Sequence, residues 1–368
     1  MIVIATELST SAKLWEFITH YWAALVIAAT CLSLLTFALL LLTKYVRICL
    51  NIFTDTPLPL SIDARDFQVI QGEEVRFRSF DGTSLRGMWL RTTSGTDRKG
   101  TIVFCHEFGS DMYSCARYTK PLIEAGFDIF TFDFRGHGDS SRPQNYRILQ
   151  WPSDKELEDT LGACAYVEDC LLSAGEPVQI GVFGISRGAG AAILTASSNR
   201  NIACLVCDGA FSTAETLLTL MKRWASIFGR VRLVYQNHPD AFWRFLLWCM
   251  MRFAQPRLGR RFPSVRKALE NMIARPTMFI HGQRDSYVRP DQAELLHRAA
   301  GQPKYLWIVP KAKHNQSVTT APEEYAARTT AFFRKYLADE NVDEVEITGK
   351  ATRGNYSKVK DRFSKVTQ

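Results

Sequence analysis

No phosphate-binding loop is present: the glycine–serine cluster around Ser186 lacks the lysine that such a loop needs. No internal repeat is visible, which excludes solenoids and propellers. A disulfide framework is also missing. The nine cysteines are an odd count scattered through apolar segments, which argues for reduced thiols in a cytosol-facing domain. Between Tyr21 and Thr43 there is no charged residue. Apolar residues at 46% and charged residues at 22% exclude a disordered or fibrous chain. The net charge of +8 and pI near 9.0 direct attention to an anionic partner, either nucleic acid or a membrane surface.

The charge-free run predicts a membrane span. Trp22–Thr43 is almost wholly apolar, and at about 1.5 Å per residue it reaches roughly 33 Å, close to the hydrocarbon thickness of a bilayer. A buried core helix of that length would carry a polar stripe. A cleaved signal fits poorly, because the apolar run is too long, Lys13 is offset by Glu7 and Glu16, and no small-residue cleavage site follows. Lys44 and Arg47 follow the span and only Lys13 precedes it, so the main domain is expected on the cytoplasmic side of a single-pass protein. Cys49, just past the span, reads as a buried thiol, with palmitoylation the alternative. The expected organisation is an extramembrane segment 1–20, a span 21–43, a linker 44–66, one large domain 67–338 and a charged, disordered tail 339–368.

Within the large domain, alternation around Val75 and Phe77, a turn at Asp81-Gly82 and the pattern Leu85, Gly87, Trp89 predict a hairpin. Short apolar runs follow at Thr101–His106, Asp128–Asp133, Val178–Phe183, Ile202–Cys207, Thr277–His281 and Tyr305–Val309. They have the character of buried strands. Helical patterns lie between them at Met112–Ala125, Ser153–Ala174, Arg187–Ser197, Pro290–Ala300 and Pro322–Leu337. Gly126, Gly175 and Gly301 stand at C-cap positions, and Ser153 with Glu156 forms a capping-box pattern. Such alternation predicts a mostly parallel sheet covered on both faces.

The chemistry centres on Gly184-Ile185-Ser186-Arg187-Gly188. The pattern is common by chance, but here it follows a buried strand and opens a helix. So sharp a turn needs glycine at 184 and 188, lifts the Ser186 hydroxyl above the sheet edge and points a helix N-terminus at a developing anion. A serine hydroxyl needs a base, and the base needs a carboxylate to orient it. His314 follows the last strand and Asp285 follows the strand before it. The order Ser186, Asp285, His314 is that of an α/β-hydrolase triad. Asp208, also at a strand end, is the alternative acid. Cys204 and Cys207 form C-x-x-C within a strand, where residues three apart face opposite ways, so no metal or redox site is expected.

On these residues the chain resembles the α/β-hydrolase superfamily, nearest the branch of monoglyceride-lipase-like hydrolases and serine aminopeptidases. The matching pieces are Phe104-Cys105-His106-Glu107-Phe108-Gly109, Phe132-Asp133-Phe134-Arg135-Gly136-His137-Gly138-Asp139-Ser140, the Ser186 turn, and the Asp285 and His314 loops. The resemblance spans about Phe67 to Leu337. It implies a mostly parallel sheet with helices on both faces and a helical lid insertion. It makes Ser186 the nucleophile, His314 the base and Asp285 its orienter, with the backbone N–H groups of Phe108 and Arg187 as the oxyanion hole and no cofactor. His106 and His137 match positions that stabilise turns. Glu107 departs from the pattern, since relatives carry glycine there. A carboxylate beside a developing oxyanion must point away or pair, with Arg187 or Arg135 as partners.

The lid expected over residues 211–274 carries eleven Lys and Arg against three acids, a net +8 equal to that of the whole chain. It also carries Trp224, Phe242, Trp243, Phe245, Trp248 and Phe253. On a tethered hydrolase this composition points to a bilayer rather than to nucleic acid, since no recognition module accompanies it. The expected function is cleavage of a lipophilic carboxylic ester. Acyl-protein thioesterase or aminopeptidase chemistry on the same triad is the first alternative, and a non-catalytic scaffold of the same fold is the second.

Overall fold

From Ile2 to Asp55 the chain contains neither glycine nor proline, and in the computed structural model it is one helix, α1 (Ile2–Asp55). Residues 2–55, 71–92, 98–228 and 238–349 are described. From Trp15 to Thr54, α1 is long and apolar enough to cross a membrane, with a mean hydropathy of 2.6 in its most apolar stretch. The helix does not stop at Thr43. The linker expected over 44–66 is helical as far as Asp55, because Lys44 and Arg47 change its polarity but nothing there breaks it. Residues 56–66 lie outside the described residues. In this last part Val46, Cys49, Leu50 and Phe53 are buried at helical spacing.

Eight strands form one sheet: β1 (Glu73–Arg78), β2 (Ser84–Leu90), β3 (Gly100–Cys105), β4 (Phe127–Phe132), β5 (Ile180–Ile185), β6 (Ile202–Asp208), β7 (Thr277–Gly282) and β8 (Lys304–Val309). Their order is β1-β2-β4-β3-β5-β6-β7-β8. β2 pairs antiparallel with β1 and β4, and every later neighbour is parallel. The chain passes from β3 to β4 on one side and then to β5 on the other. The strand order therefore reverses beside β3, and in open sheets of this kind ligands bind at such a reversal, outside the C-terminal ends of the strands, here β3 and β5.

Alternate strand residues feed two cores. Val103, Cys105, Val182 and Cys207 face one side, where they meet α3 (Asp154–Ser173), α4 (Arg187–Ala196) and α8 (Pro290–Ala299). Ile102, Phe104, Phe183 and Cys204 face the other, against α2 (Cys115–Glu124), the short α9 (Ser317–Thr320) and α10 (Pro322–Tyr336). Cys204 and Cys207 thus lie on opposite faces, as their spacing requires. The Ser153–Glu156 capping box is formed at the start of α3. Gly126 and Gly175 have positive φ, as C-cap positions ask. Gly301 does not, and glycine there serves contact instead, since a Cβ would lie 2.6 Å from that of Ala274.

Two expected boundaries shift. The insertion holds α5 (Thr213–Phe228), α6 (Asp240–Leu258) and α7 (Val265–Asn271), with 229–237 outside the described residues. Val265 and Leu269 of α7 are buried in the same core as α3 and α4, so this last helix is part of the packed layer rather than a lid. The segment after Leu337 also folds. Val342 and Ile347 enter the other core, and α11 (Glu344–Thr348), capped by Asp343, follows. The tail expected to be disordered from 339 is therefore structured as far as residue 349, and residues 350–368 lie outside the described residues. The chain divides into two compact units: α1 with residues 240–254 of α6, and the sheet with the remaining helices.

Candidate active site

Ser186 sits between β5 and α4 with φ 52 and ψ −112, a conformation that costs a non-glycine residue on the order of 1–3 kcal/mol. The surroundings enforce it. A Cβ at Gly184 would lie 2.5 Å from Ala189 Cα, and one at Gly188 would lie 2.6 Å from the His106 carbonyl oxygen. The Ser186 N–H donates to the Asp208 carbonyl at 2.7 Å, tying the turn to the end of β6.

The other two residues arrive from the ends of β7 and β8. The loops after these strands are joined by Arg284 N–H to Ala312 O at 2.8 Å and Gln283 N–H to Val309 O at 2.9 Å. Asp285 Oδ1 accepts from the N–H groups of Tyr287 and Val288, each at 2.9 Å. Its Oδ2 lies 2.5 Å from His314 Nδ1, and His314 Nε2 lies 2.9 Å from Ser186 Oγ. Burial alone would raise the Asp285 carboxyl, but the imidazoles of His314 and His281 hold it below the usual carboxylate range. An ionised Asp285 can only accept, so His314 Nδ1 carries the proton and Nε2 is left to accept from the serine hydroxyl. Ser186 and Asp285 are buried, and the His314 side chain is 13% exposed. This is the geometry needed to move a proton off Ser186.

Asp208 is occupied elsewhere. It accepts from Tyr325 Oη at 3.0 Å and Ser317 Oγ at 3.3 Å, and burial pushes it up to about 6.

Phe108 follows β3 and faces the start of α4, with the Arg187 guanidinium 5.7 Å from the centre of its ring. Of the two outcomes expected for Glu107, pairing with Arg187 or Arg135 does not occur. Its Oε2 accepts from Ser114 Oγ at 3.2 Å, seven residues along the chain, and burial raises its carboxyl toward the neutral form. Arg187 turns to other partners: the Leu149 carbonyl at 3.1 Å, His137 Nε2 at 3.2 Å and the Glu156 carboxylate at 3.6 Å. Burial would raise Glu156, but Arg187 and hydrogen bonds from Ser153 and Tyr146 hold it low.

Both turn histidines are tied to backbone, as expected. His106 Nε2 accepts from Phe134 N–H at 3.2 Å while Nδ1 donates to Glu107 O at 2.7 Å. His137 Nδ1 donates to Arg135 O at 3.2 Å. Burial lowers both imidazoles, His137 to about 3, so they stay neutral.

Three interactions were not anticipated. His281 reaches the same Asp285 oxygen as His314, at 3.2 Å. Ser317 and Tyr325 hold Asp208. Arg135, almost fully buried, binds Asp159 at 2.7 Å and Asp81 at 2.7 Å, fastening the β1–β2 turn to α3. Only His281 left a trace in the sequence, as a strand residue four positions before Asp285.

The outer face of α6 presents Phe245, Trp248 and Phe253, at 49%, 62% and 63% exposure, with exposed Arg244 and Arg252 interleaved. Phe245 and Trp248 stack at 6.1 Å.

Comparison with known proteins agrees with this architecture. Residues 100–254 match the family model for the alpha/beta hydrolase fold. The chain is 26% identical over 251 residues to the uncharacterized protein YfhR of Escherichia coli K12, covering 66% of this chain and 73% of that protein. It is 23% identical over 273 residues to the uncharacterized protein YqkD of Bacillus subtilis, covering 70% and 81%. Among solved structures, an esterase from Pyrococcus furiosus matches with TM-score 0.53 and 22% identity, over 77% of this chain and 96% of the esterase. An acylaminoacyl peptidase from Pyrococcus horikoshii matches with TM-score 0.52 and 18% identity, over 77% of this chain and 44% of the peptidase. With its strand order, its reversal beside β3 and the match over residues 100–254, the chain has the α/β-hydrolase fold.

Proposed function

We propose that this protein is a membrane-anchored serine hydrolase that cleaves a lipophilic carboxylic ester. The observation that carries the reading is the unbroken line Ser186 Oγ–His314 Nε2 at 2.9 Å and His314 Nδ1–Asp285 Oδ2 at 2.5 Å. In this reading His314 takes the Ser186 proton as Oγ bonds to the ester carbonyl carbon. The oxyanion forms against the N–H groups of Phe108 and Arg187, at the N-terminus of α4. The tetrahedral species collapses to an acyl-enzyme as His314 hands its proton to the leaving alkoxide. A water then loses a proton to His314, attacks the acyl carbon and releases the acid and free Ser186.

Two features support the bilayer as partner. One is the length and apolar surface of α1 between Trp15 and Thr54. The other is the aromatic and basic outer face of α6, which suits an anionic interface at about 1 kcal/mol per basic side chain near the surface. Lys44 and Arg47 place the hydrolase on the cytoplasmic side in this reading. The test uses the full chain in nanodiscs containing anionic lipid. Replacing Phe245, Trp248 and Phe253 together by serine is expected to lower hydrolysis of a bilayer-embedded long-chain ester far more than that of p-nitrophenyl acetate in the same discs. Equal loss on both substrates, or on neither, would remove the bilayer from the account.

A further inference from the structure

Asp285 is held by two imidazoles, and the roles given above account for only one. His281 lies at the end of β7, fully buried. Its Nε2 is 2.8 Å from the Val288 carbonyl and 3.2 Å from Asp285 Oδ2, the oxygen that His314 Nδ1 also meets. Both neighbours are acceptors, so Nε2 carries a hydrogen whether the ring is neutral or charged. Nδ1 is buried and has no hydrogen-bond partner among the described residues. All of this ring's polar contact is therefore aimed at the Asp285–Val288 loop.

We infer that His281 is a positioning residue for the proposed triad, closing the Asp285–Val288 loop and sharing the charge of Asp285 Oδ2 with His314. The inference rests on Ser186, His314 and Asp285 acting together. With the His281 Nε2–H bonded to the Val288 carbonyl and 3.2 Å from Asp285 Oδ2, part of that oxygen's charge is spent on His281 and less is left for His314. Removing His281 leaves His314 facing a fuller negative charge on Asp285. It also frees the loop that aims Asp285. Among the described residues, the other titratable groups facing this pair include Asp208 at the end of β6, Glu107 after β3 and Tyr287, whose ring centre is 6.2 Å from that of His314, and all stay in place in the variants below.

The test is the rate of Ser186 labelling by a fluorophosphonate and the turnover of p-nitrophenyl butyrate, both followed against pH with the full chain. His281→Leu is expected to slow both by about tenfold to a hundredfold, the usual scale for a group that orients a functional ligand from behind. KM is unchanged, and the acid limb of the pH–rate profile moves to higher pH. His281→Gln, which keeps a donor near the Nε2 position, recovers most of the rate and returns the acid limb. His281→Asn is too short to reach both acceptors and behaves like leucine, so the Gln–Asn pair decides the matter if His281→Leu does not fold. Labelling at the wild-type rate and pH in His281→Asn would overturn the inference. Equal losses in Gln and Asn that track lost thermal stability would do the same. An unlabelled wild type would instead overturn the Ser186 reading itself.

Discussion

Ser186→Ala is expected to lower kcat for a p-nitrophenyl ester by about 10⁴–10⁶, with KM almost unchanged, because the hydroxyl forms the bond that defines the reaction. His314→Ala is expected to cost about as much. The double variant should be scarcely worse than either single one, since nucleophile and base act as a unit and their losses do not add. Asp285→Ala should leave more activity than either, about 10⁻⁴ of wild type, because the imidazole survives and only its tautomer and aim are lost. Steady-state kinetics on the four variants measures the set. Additive losses would mean that the three residues, though hydrogen-bonded, do not work as one relay.

The second large effect is on stability. Asp159 is fully buried and accepts from the backbone N–H of Arg135 at 3.0 Å, from its Nε at 2.9 Å and from its second terminal nitrogen at 2.7 Å. Asp159→Ala takes from Arg135 its one fully buried carboxylate and leaves Nε without that acceptor, while Asp81, Ser79 and Glu158 stay on the terminal nitrogens, so the loss is about 3 kcal/mol, the low end for breaking a buried ion pair. Replacing both partners by apolar residues, Arg135→Met with Asp159→Leu, should recover much of that loss, because no uncompensated charge remains. The exposed pair Arg266–Glu270, at 3.5 Å with both side chains 42% exposed, serves as the comparison, and Glu270→Ala should change stability by less than about 1 kcal/mol. Urea unfolding of the three variants checks the ranking. If the buried and exposed pairs cost the same, Arg135 and Asp159 do not fasten the hairpin to α3.

The residues that carry the proposed chemistry were readable because each is announced by local pattern. A buried strand followed by Gly-x-Ser-x-Gly has few ways to continue, and parallel strands deliver the loops bearing Asp285 and His314 to the same rim of the sheet. The strands themselves, short apolar runs bounded by turn residues, fell within a few residues of their final limits. What escaped depends on contacts that local pattern does not encode. Glu107 found Ser114 rather than an arginine because Arg187 was already committed to Glu156 and His137, and Arg135 to Asp159. The acidic stretch after Leu337 looks like a solvated tail, yet two apolar side chains, Val342 and Ile347, are enough to dock it on the core. The end of α1 lies beyond the apolar run for a different reason. Charge at Lys44 and Arg47 marks the edge of an apolar run, whereas a helix ends at a breaker, and the first proline comes only at position 57. His281 was legible as a strand residue, but its turn toward Asp285 depends on the loop that brings Val288 back over the strand end.

The most direct measurement is the intact mass of the full-length protein after exposure to a fluorophosphonate, followed by peptide mapping. The account predicts a single covalent adduct per chain, located on Ser186, absent in Ser186→Ala and strongly suppressed in His314→Ala. A wild-type chain that gains no mass, or an adduct that persists when Ser186 is alanine, would contradict it.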